Sequence, residues 1–448
     1  MSNSDITQLV LAFVLLLVAA HGLGQLFVRL RQPRVAGEIL GGLLLGPTLF
    51  GLVLPGWHEA IFEKGEITQA GLGIAYQLGL LLLMYCSGAE LRSVITKRER
   101  KATVGIAVVG NIAPFLAGLA FVAVYDTGRF LGPARDRTAF ALVFALAMAV
   151  TSIPVISRIM ADLGILGTRF ARIVLSVAVL EDVLVYVVLN AALAMVAPPA
   201  AATFSLPSLL GVEPASTIGN GYYVALTLAF LAIPVRFGPG VVQKLAGMRR
   251  NVLHESNPIV FQLVMMLGLS GLASFVGVSP IFGALVAGIL AGDLDGECAR
   301  AKQTIHSFAY AFFIPLYFAV VGLRLDLVRH FEPIFFVIFL LFACAAKSFS
   351  CYLGARASGE SPRGARNLAV ALNARGGPGI VLASVAFDAT IIDEGFYTIL
   401  VMLALVTSVV AGSWLGAILR RGEGLLADEQ PEARPAQVPV GDAACMSI

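Results

Sequence analysis

Residues 175–190 read LSVAVLEDVLVYVVLN, an apolar run interrupted at its centre by two adjacent carboxylates, Glu181 and Asp182. Such a run belongs either to the core of a large soluble domain or to a membrane span. The rest of the chain decides for the membrane. Of 448 residues, 58% are hydrophobic and 13% charged, against about 25% charged in soluble domains. A larger core does not explain the deficit, because surface area still grows with size. A spanning helix needs roughly 20 apolar residues. Windows of that length give thirteen spans: 6–28, 35–54, 72–94, 103–125, 138–161, 170–196, 220–243, 257–276, 279–292, 305–323, 332–354, 366–388 and 396–419. The predicted fold class is therefore an all-α integral membrane protein of about thirteen transmembrane helices. The opening MSNSDITQLV has no basic n-region and no A-x-A site, so the first run is expected to remain as a helix. Residues 421–448 are charged and Pro-rich and are expected to form a short disordered cytoplasmic tail.

Orientation follows from Lys and Arg in the loops. With the N-terminus outside, the inside loops hold 23 of the 31 basic residues and the outside loops 6. The asymmetry predicts N-terminus outside and C-terminus cytoplasmic in a multi-pass protein of the cell membrane. The remaining two, Lys347 and Arg375, fall inside spans. The net charge of +3 comes with no basic block, so no nucleic-acid partner is expected. The five cysteines have no metal-ligand spacing. No cofactor motif is present, and none is expected.

A charge at a helix centre costs roughly 2.5–3.5 kcal/mol on insertion scales. Asp182 lies 13 residues past Arg169, about 20 Å along a helix, close to the midplane. Glu181, Asp182, Lys347 and Arg375 are tolerable there only if they pair or face a wet cavity. One acid and one base suffice for a structural bridge; here the acids are doubled. Two spans also carry breakers at mid-depth. The fifth contains Thr151-Ser152-Ile153-Pro154, and the twelfth contains Gly376-Gly377-Pro378-Gly379. Proline lacks an amide hydrogen and clashes with the preceding turn, and irregular backbone at this depth is tolerated only where it is buried in protein or lines a cavity. The breaks lie seven spans apart, so the two spans run in opposite directions. Interrupted helices at corresponding places in inverted halves point to a transporter site. When they cross, their dipole ends need counter-charges: Lys347 for the negative ends, an acid for the positive ones.

At these residues the chain resembles the monovalent cation:proton antiporter-2 family, which includes NapA-like, Kef-like and plant CHX-like sodium or potassium/proton exchangers. The likeness covers about residues 6–420. Arg31-Gln32-Pro33-Arg34 with AGEILGGLLLGPTLFG (36–51) is similar to the family's second helix, and FFIPLYFAVVGLRLDL (312–327) to another family stretch. Glu181-Asp182 sits at the family's acidic pair, and Lys347 where electrogenic members have a lysine. Asn373-Ala374-Arg375-Gly376 is similar to the second broken helix. The chain departs in having Glu-Asp where well-known electrogenic members have Asp-Asp, and Gly377 where many relatives have glutamate. The resemblance implies an inverted-repeat antiporter fold with two crossed broken helices, and a homodimer. It implies a transmembrane exchanger domain (1–420) whose mobile bundle includes about 103–196 and 332–388.

The implied function is secondary active exchange of a monovalent cation, Na⁺ or K⁺, for H⁺ across the bilayer. Asp182 is the expected carrier of the proton or the transported metal ion. Glu181, Thr151 and Ser152 complete the cation/proton site, Lys347 and Arg375 compensate charge, and Pro154 and Gly376–Gly379 break the helices. The alternatives are a transporter of the same fold carrying an organic ion, or a cation channel. An enzyme is disfavoured: an aspartyl protease needs two aspartates on facing helices, and no Ser-His arrangement or zinc motif is present.

Overall fold

The computed structural model describes residues 3–427, apart from 31, 92–99, 293, 295 and all but scattered positions between 197 and 255. Among the described residues the chain is helical, with one isolated antiparallel bridge, Leu131 to Ile392. The helices in chain order are α1 (Asn3–Arg29), α2 (Arg34–Leu45), α3 (Glu66–Leu91), α4 (Arg100–Val124), α5 (Arg137–Ala149), α6 (Ile153–Asp162) and α7 (Arg169–Met195). They continue with α8 (Pro258–Val276), α9 (Pro280–Ala291), α10 (Glu297–Phe308), α11 (Ile314–Leu323), α12 (Pro333–Ala357), α13 (Pro362–Ala371), α14 (Gly376–Asp388) and α15 (Glu394–Arg420). A π-turn, Ala309–Phe313, joins α10 to α11 into one rod.

Among the described residues, ten segments are long and apolar enough to cross a membrane. Two shorter apolar helices, α5 and α9, stand at the expected fifth and ninth spans. The expected seventh span, 220–243, lies almost wholly outside the described residues, so thirteen is not confirmed as a count. The tenth span starts at Glu297 rather than 305, because an amphipathic stretch extends it beyond the apolar window. The expected tail also starts later than 421. Leu425 and Leu426 are buried, and Asn367 of α13 donates to the Leu425 carbonyl at 2.9 Å. The remainder, 428–448, lies outside the described residues.

Two groups of spans pack differently. In one, backbones approach closely at glycine. A Cβ on Gly42 of α2 would stand 1.8 Å from the Ala319 carbonyl of α11, and one on Gly322 would stand 1.9 Å from that of Ile39. Small residues let helices meet this way where lipid supplies no hydrophobic drive between them. In the other, α4, α7 and α12 surround the interrupted spans, with a stack of aromatic rings at one end. Phe144 lies 4.8 Å from Phe339 and 5.4 Å from Phe396, and Phe130 lies 4.5 Å from Phe335.

Gly42→Val should lower the thermal midpoint of the detergent-solubilised protein sharply. Overpacking costs about 1–3 kcal/mol even where side chains can shift, and here the obstacle is backbone. Gly268→Ala, which meets nothing within 4 Å, should leave the midpoint unchanged in the same melt.

Candidate functional site

The fifth span ends as a helix at Ala149, and the chain resumes helix at Ile153. The twelfth ends at Ala371 and resumes at Gly376. The two gaps touch. Ser152 N donates to the Ala374 carbonyl at 2.6 Å, and Thr151 Oγ1 to the Leu372 carbonyl at 2.6 Å. In return, Gly377 N donates to Ser152 Oγ at 3.0 Å. The interrupted spans therefore cross at their breaks.

The breakers sit one step later than their helix-breaking character predicts. Pro154 and Pro378 lie in the first turns of α6 and α14, not in the unwound backbone. There a missing N–H removes a donor that would have had no intrahelical partner. The unwound residues are Val150–Ser152 and Leu372–Arg375. Gly376 takes φ +23°, and a Cβ there would lie 2.3 Å from Val155 Cγ2, so the crossing admits no side chain at this position.

A helix leaves its last four carbonyls without intrahelical donors. For α5 all four find one. Leu146 O accepts from Val150 N at 2.9 Å. Ala147 O accepts from Arg375 Nε at 3.1 Å, and Met148 O from Arg375 Nη2 at 3.2 Å. Ala149 O accepts from Lys347 Nζ at 2.5 Å. Both intramembrane cations thus converge on the negative end of one half-helix, where the dipole favours them. Lys347 Nζ also donates to Glu181 Oε1 at 2.8 Å, and both side chains are fully buried. Arg375 has no carboxylate within ion-pair distance among the described residues. It acts as a donor to carbonyls, including Ala343 O of α12 at 3.0 Å, and to Asn373 Oδ1 at 3.0 Å.

The positive ends are met by neutral oxygen, not by the expected acid. Ser152 Oγ accepts at the start of both α6 and α14. Thr407 Oγ1 accepts from Arg375 N at 3.4 Å, and Ser408 Oγ from Gly376 N at 3.2 Å. These two α15 residues were missed by sequence reasoning; their only signal is a hydroxyl pair in an apolar span, LVTSVV.

Glu181 and Asp182 lie on α7 beside this crossing. Gly110 of α4 packs against Cys351, where a Cβ would stand 2.7 Å from Sγ, and lies in ordinary contact with Glu181. Glu181 Oε2 and Asp182 Oδ1 are buried and accept no hydrogen bond. Adjacent helical residues point about 100° apart, so Lys347 holds one carboxylate, and among the described residues the other has no base in ion-pair contact. Asp182 is 3% exposed. A buried carboxylate oxygen without a donor is costly unless a proton or a cation takes that place, and carboxylate, hydroxyl and carbonyl oxygens are the ligands that hard cations prefer.

Residues 11–421 match the family described as "Sodium/hydrogen exchanger, transmembrane". The chain belongs to this family. It is 26% identical over 417 residues to the Na(+)/H(+) antiporter NhaS4 of Synechocystis, covering 91% of this chain and 96% of that one. It is 28% identical over 428 residues to Cation/H(+) antiporter 20 of Arabidopsis thaliana, covering 94% of this chain. The chain spans about half the length of the latter and of several other curated relatives. The sodium proton antiporter MjNhaP1 of Methanocaldococcus jannaschii matches 92% of this chain at a TM-score of 0.57 and 16% identity, which shows a shared fold. The chain is thus a multi-pass membrane protein, helical among the described residues and sharing the fold of that antiporter.

Lys347→Met should destabilise the protein by about 3–5 kcal/mol, since it strands a buried Glu181 charge. Combining it with Glu181→Gln should recover more than half of that loss in a denaturant or thermal melt. A double variant no more stable than the single one would show that Lys347 acts through the Ala149 carbonyl alone.

Proposed function

We propose that the protein is a secondary active antiporter that exchanges Na⁺ or K⁺ for H⁺ by alternating access, with Asp182 as the carrier. The observation that carries this reading is a buried carboxylate with an unpartnered oxygen, on the span that follows one broken helix and beside the crossing of two. Relatives over nearly the whole chain are named as Na(+)/H(+) and K(+)/H(+) antiporters.

In this reading Asp182 holds a proton or a dehydrated cation and never both. Thr151 Oγ1, which here only donates, keeps lone pairs that add to the ligand set, and Ser152 Oγ, which here accepts from Val155 N and Gly377 N, joins it by releasing one of these donors. Glu181 stays with Lys347 in one state and changes partner or proton in another, and Arg375 keeps the end of α5 neutralised throughout. The bundle 103–196 with 332–388 moves against the other helices. The hydroxyls of Thr407 and Ser408 tie α15 to the start of α14, which argues for α15 moving with it. The Lys/Arg distribution supports an orientation in the cell membrane with the N-terminus outside and the C-terminus cytoplasmic, and family likeness supports a homodimer.

The test is a transport assay. In everted vesicles, adding Na⁺ or K⁺ should collapse a preformed pH gradient, and Asp182→Asn should abolish the response. Undiminished exchange by that variant would exclude Asp182 as the carrier. The same assay with an imposed voltage reads whether net charge moves.

A further inference from the structure

Half-helix α14 runs from the crossing to Asp388, at the face that the Lys/Arg asymmetry assigns to the outside. There the Asp388 carboxylate accepts from two other elements. Arg324 Nη1, one residue past α11, donates to Oδ1 at 2.9 Å, and Tyr76 OH on α3 donates to Oδ2 at 3.2 Å. The Arg324 guanidinium also lies 4.5 Å from the Tyr76 ring centroid. The three groups form a closed triangle. It joins the helix that follows the second break to two spans that contribute nothing to the crossing.

Beneath this triangle the interface carries hydroxyls. Tyr76, Tyr317 and Tyr397 are each at most 1% exposed, and all three neighbour Ser384 of α14. The Tyr76 and Tyr317 rings lie 5.1 Å apart, and Tyr397 OH donates to the Val321 carbonyl of α11 at 3.1 Å. Ser384 and Asp388 are four residues apart and so share a helix face. The hydroxyls of Tyr317 and Ser384 are buried near one another but form no well-aligned hydrogen bond. Burying an unpaired hydroxyl is unfavourable, so a permanent contact would be better served by apolar side chains. Water in an opened interface would satisfy both groups. The seam begins at the half-exposed Asp388–Arg324 pair and runs roughly 16 Å inward along α14 to Gly377. Gly377 is at the crossing.

We propose that this seam is the outer access route to the crossing, and that Asp388, Arg324 and Tyr76 form the latch that keeps it shut in the state seen here. The proposal rests on the alternating-access reading above. A half-exposed ion pair contributes little on its own, so the latch biases the closed state without preventing each opening. When α14 withdraws from α3 and α11, the pair becomes hydrated and the tyrosine hydroxyls line the gap.

The reporter is Ser384→Cys in the full chain, in right-side-out and everted vesicles, probed with a membrane-impermeant methanethiosulfonate. The unsubstituted chain gives the background from its five native cysteines. The introduced thiol should label slowly. Adding Asp388→Asn or Arg324→Gln should speed labelling about two- to fivefold from the outer face, through a larger open population. The charge exchange Asp388→Arg with Arg324→Asp should restore slow labelling. Tyr76→Phe, which keeps the ring and removes one donor, should give a smaller acceleration, and carries the same comparison if a charge variant fails to fold. Equal rates with and without the latch substitutions overturn the proposal, as does acceleration confined to everted vesicles. Labelling needs no ion turnover. A failed latch therefore leaves the exchange reading intact, and in an Asp182→Asn background the latch is tested apart from exchange.

Discussion

The end of α5 at Ala149 is the point on which the site depends. The helix has 13 residues, about 20 Å, too short to cross a hydrocarbon core of about 30 Å. Its carbonyls are therefore left facing an interior with no bulk water, where each unsatisfied group costs several kcal/mol. Lys347 and Arg375 supply the donors. Because Lys347 serves Ala149 O and Glu181 Oε1 together, the helix break and the charge state of α7 are one electrostatic unit. A change at Glu181 alters what remains for the carbonyl, and a shift of α5 alters what remains for Glu181.

Charge balance gives this arrangement a functional sense. The buried group holds two bases, Lys347 and Arg375, and two acids, Glu181 and Asp182. With Asp182 ionised the group is neutral overall, and with a proton or a monovalent cation on Asp182 it carries the same single positive charge. In the proposed cycle the two cargoes are thus electrostatically equivalent, and competition between them needs no further device. The positive half-helix ends are met by Ser152, Thr407 and Ser408 rather than by a third acid. An added carboxylate there would upset that balance and attract cations to a second place.

The rest of the molecule divides by how it is held. The α2–α11 contact is backbone against backbone at Gly42 and Gly322, a fit that tolerates no displacement. Around the crossing, the two breaks are joined by hydrogen bonds through Thr151, Ser152, Ala374 and Gly377, which in the proposed cycle would carry α5, α6, α13 and α14 together. Between the two groups, at Asp388, the contact is an exposed ion pair and a set of hydroxyls, both of which water can replace. Rigid bodies joined by a hydratable seam are what alternating exposure of a fixed site requires.

The membrane class, most of the spans and the burial of Glu181, Asp182, Lys347 and Arg375 were legible in the sequence, because a bilayer penalises each charge independently of what surrounds it. The approximate places of the breaks were legible too, since proline and glycine act on their own backbone. Their exact function was not. Pro154 and Pro378 turned out to open half-helices rather than lie in the gaps, because a first-turn residue has no donor to lose. The partners of Arg375, the roles of Thr407 and Ser408, and the latch at Asp388 depend on elements tens to hundreds of residues apart in the chain. Which carbonyl meets which donor is decided by how the spans cross, and only the folded chain brings Lys347 and Arg375 to the same helix end.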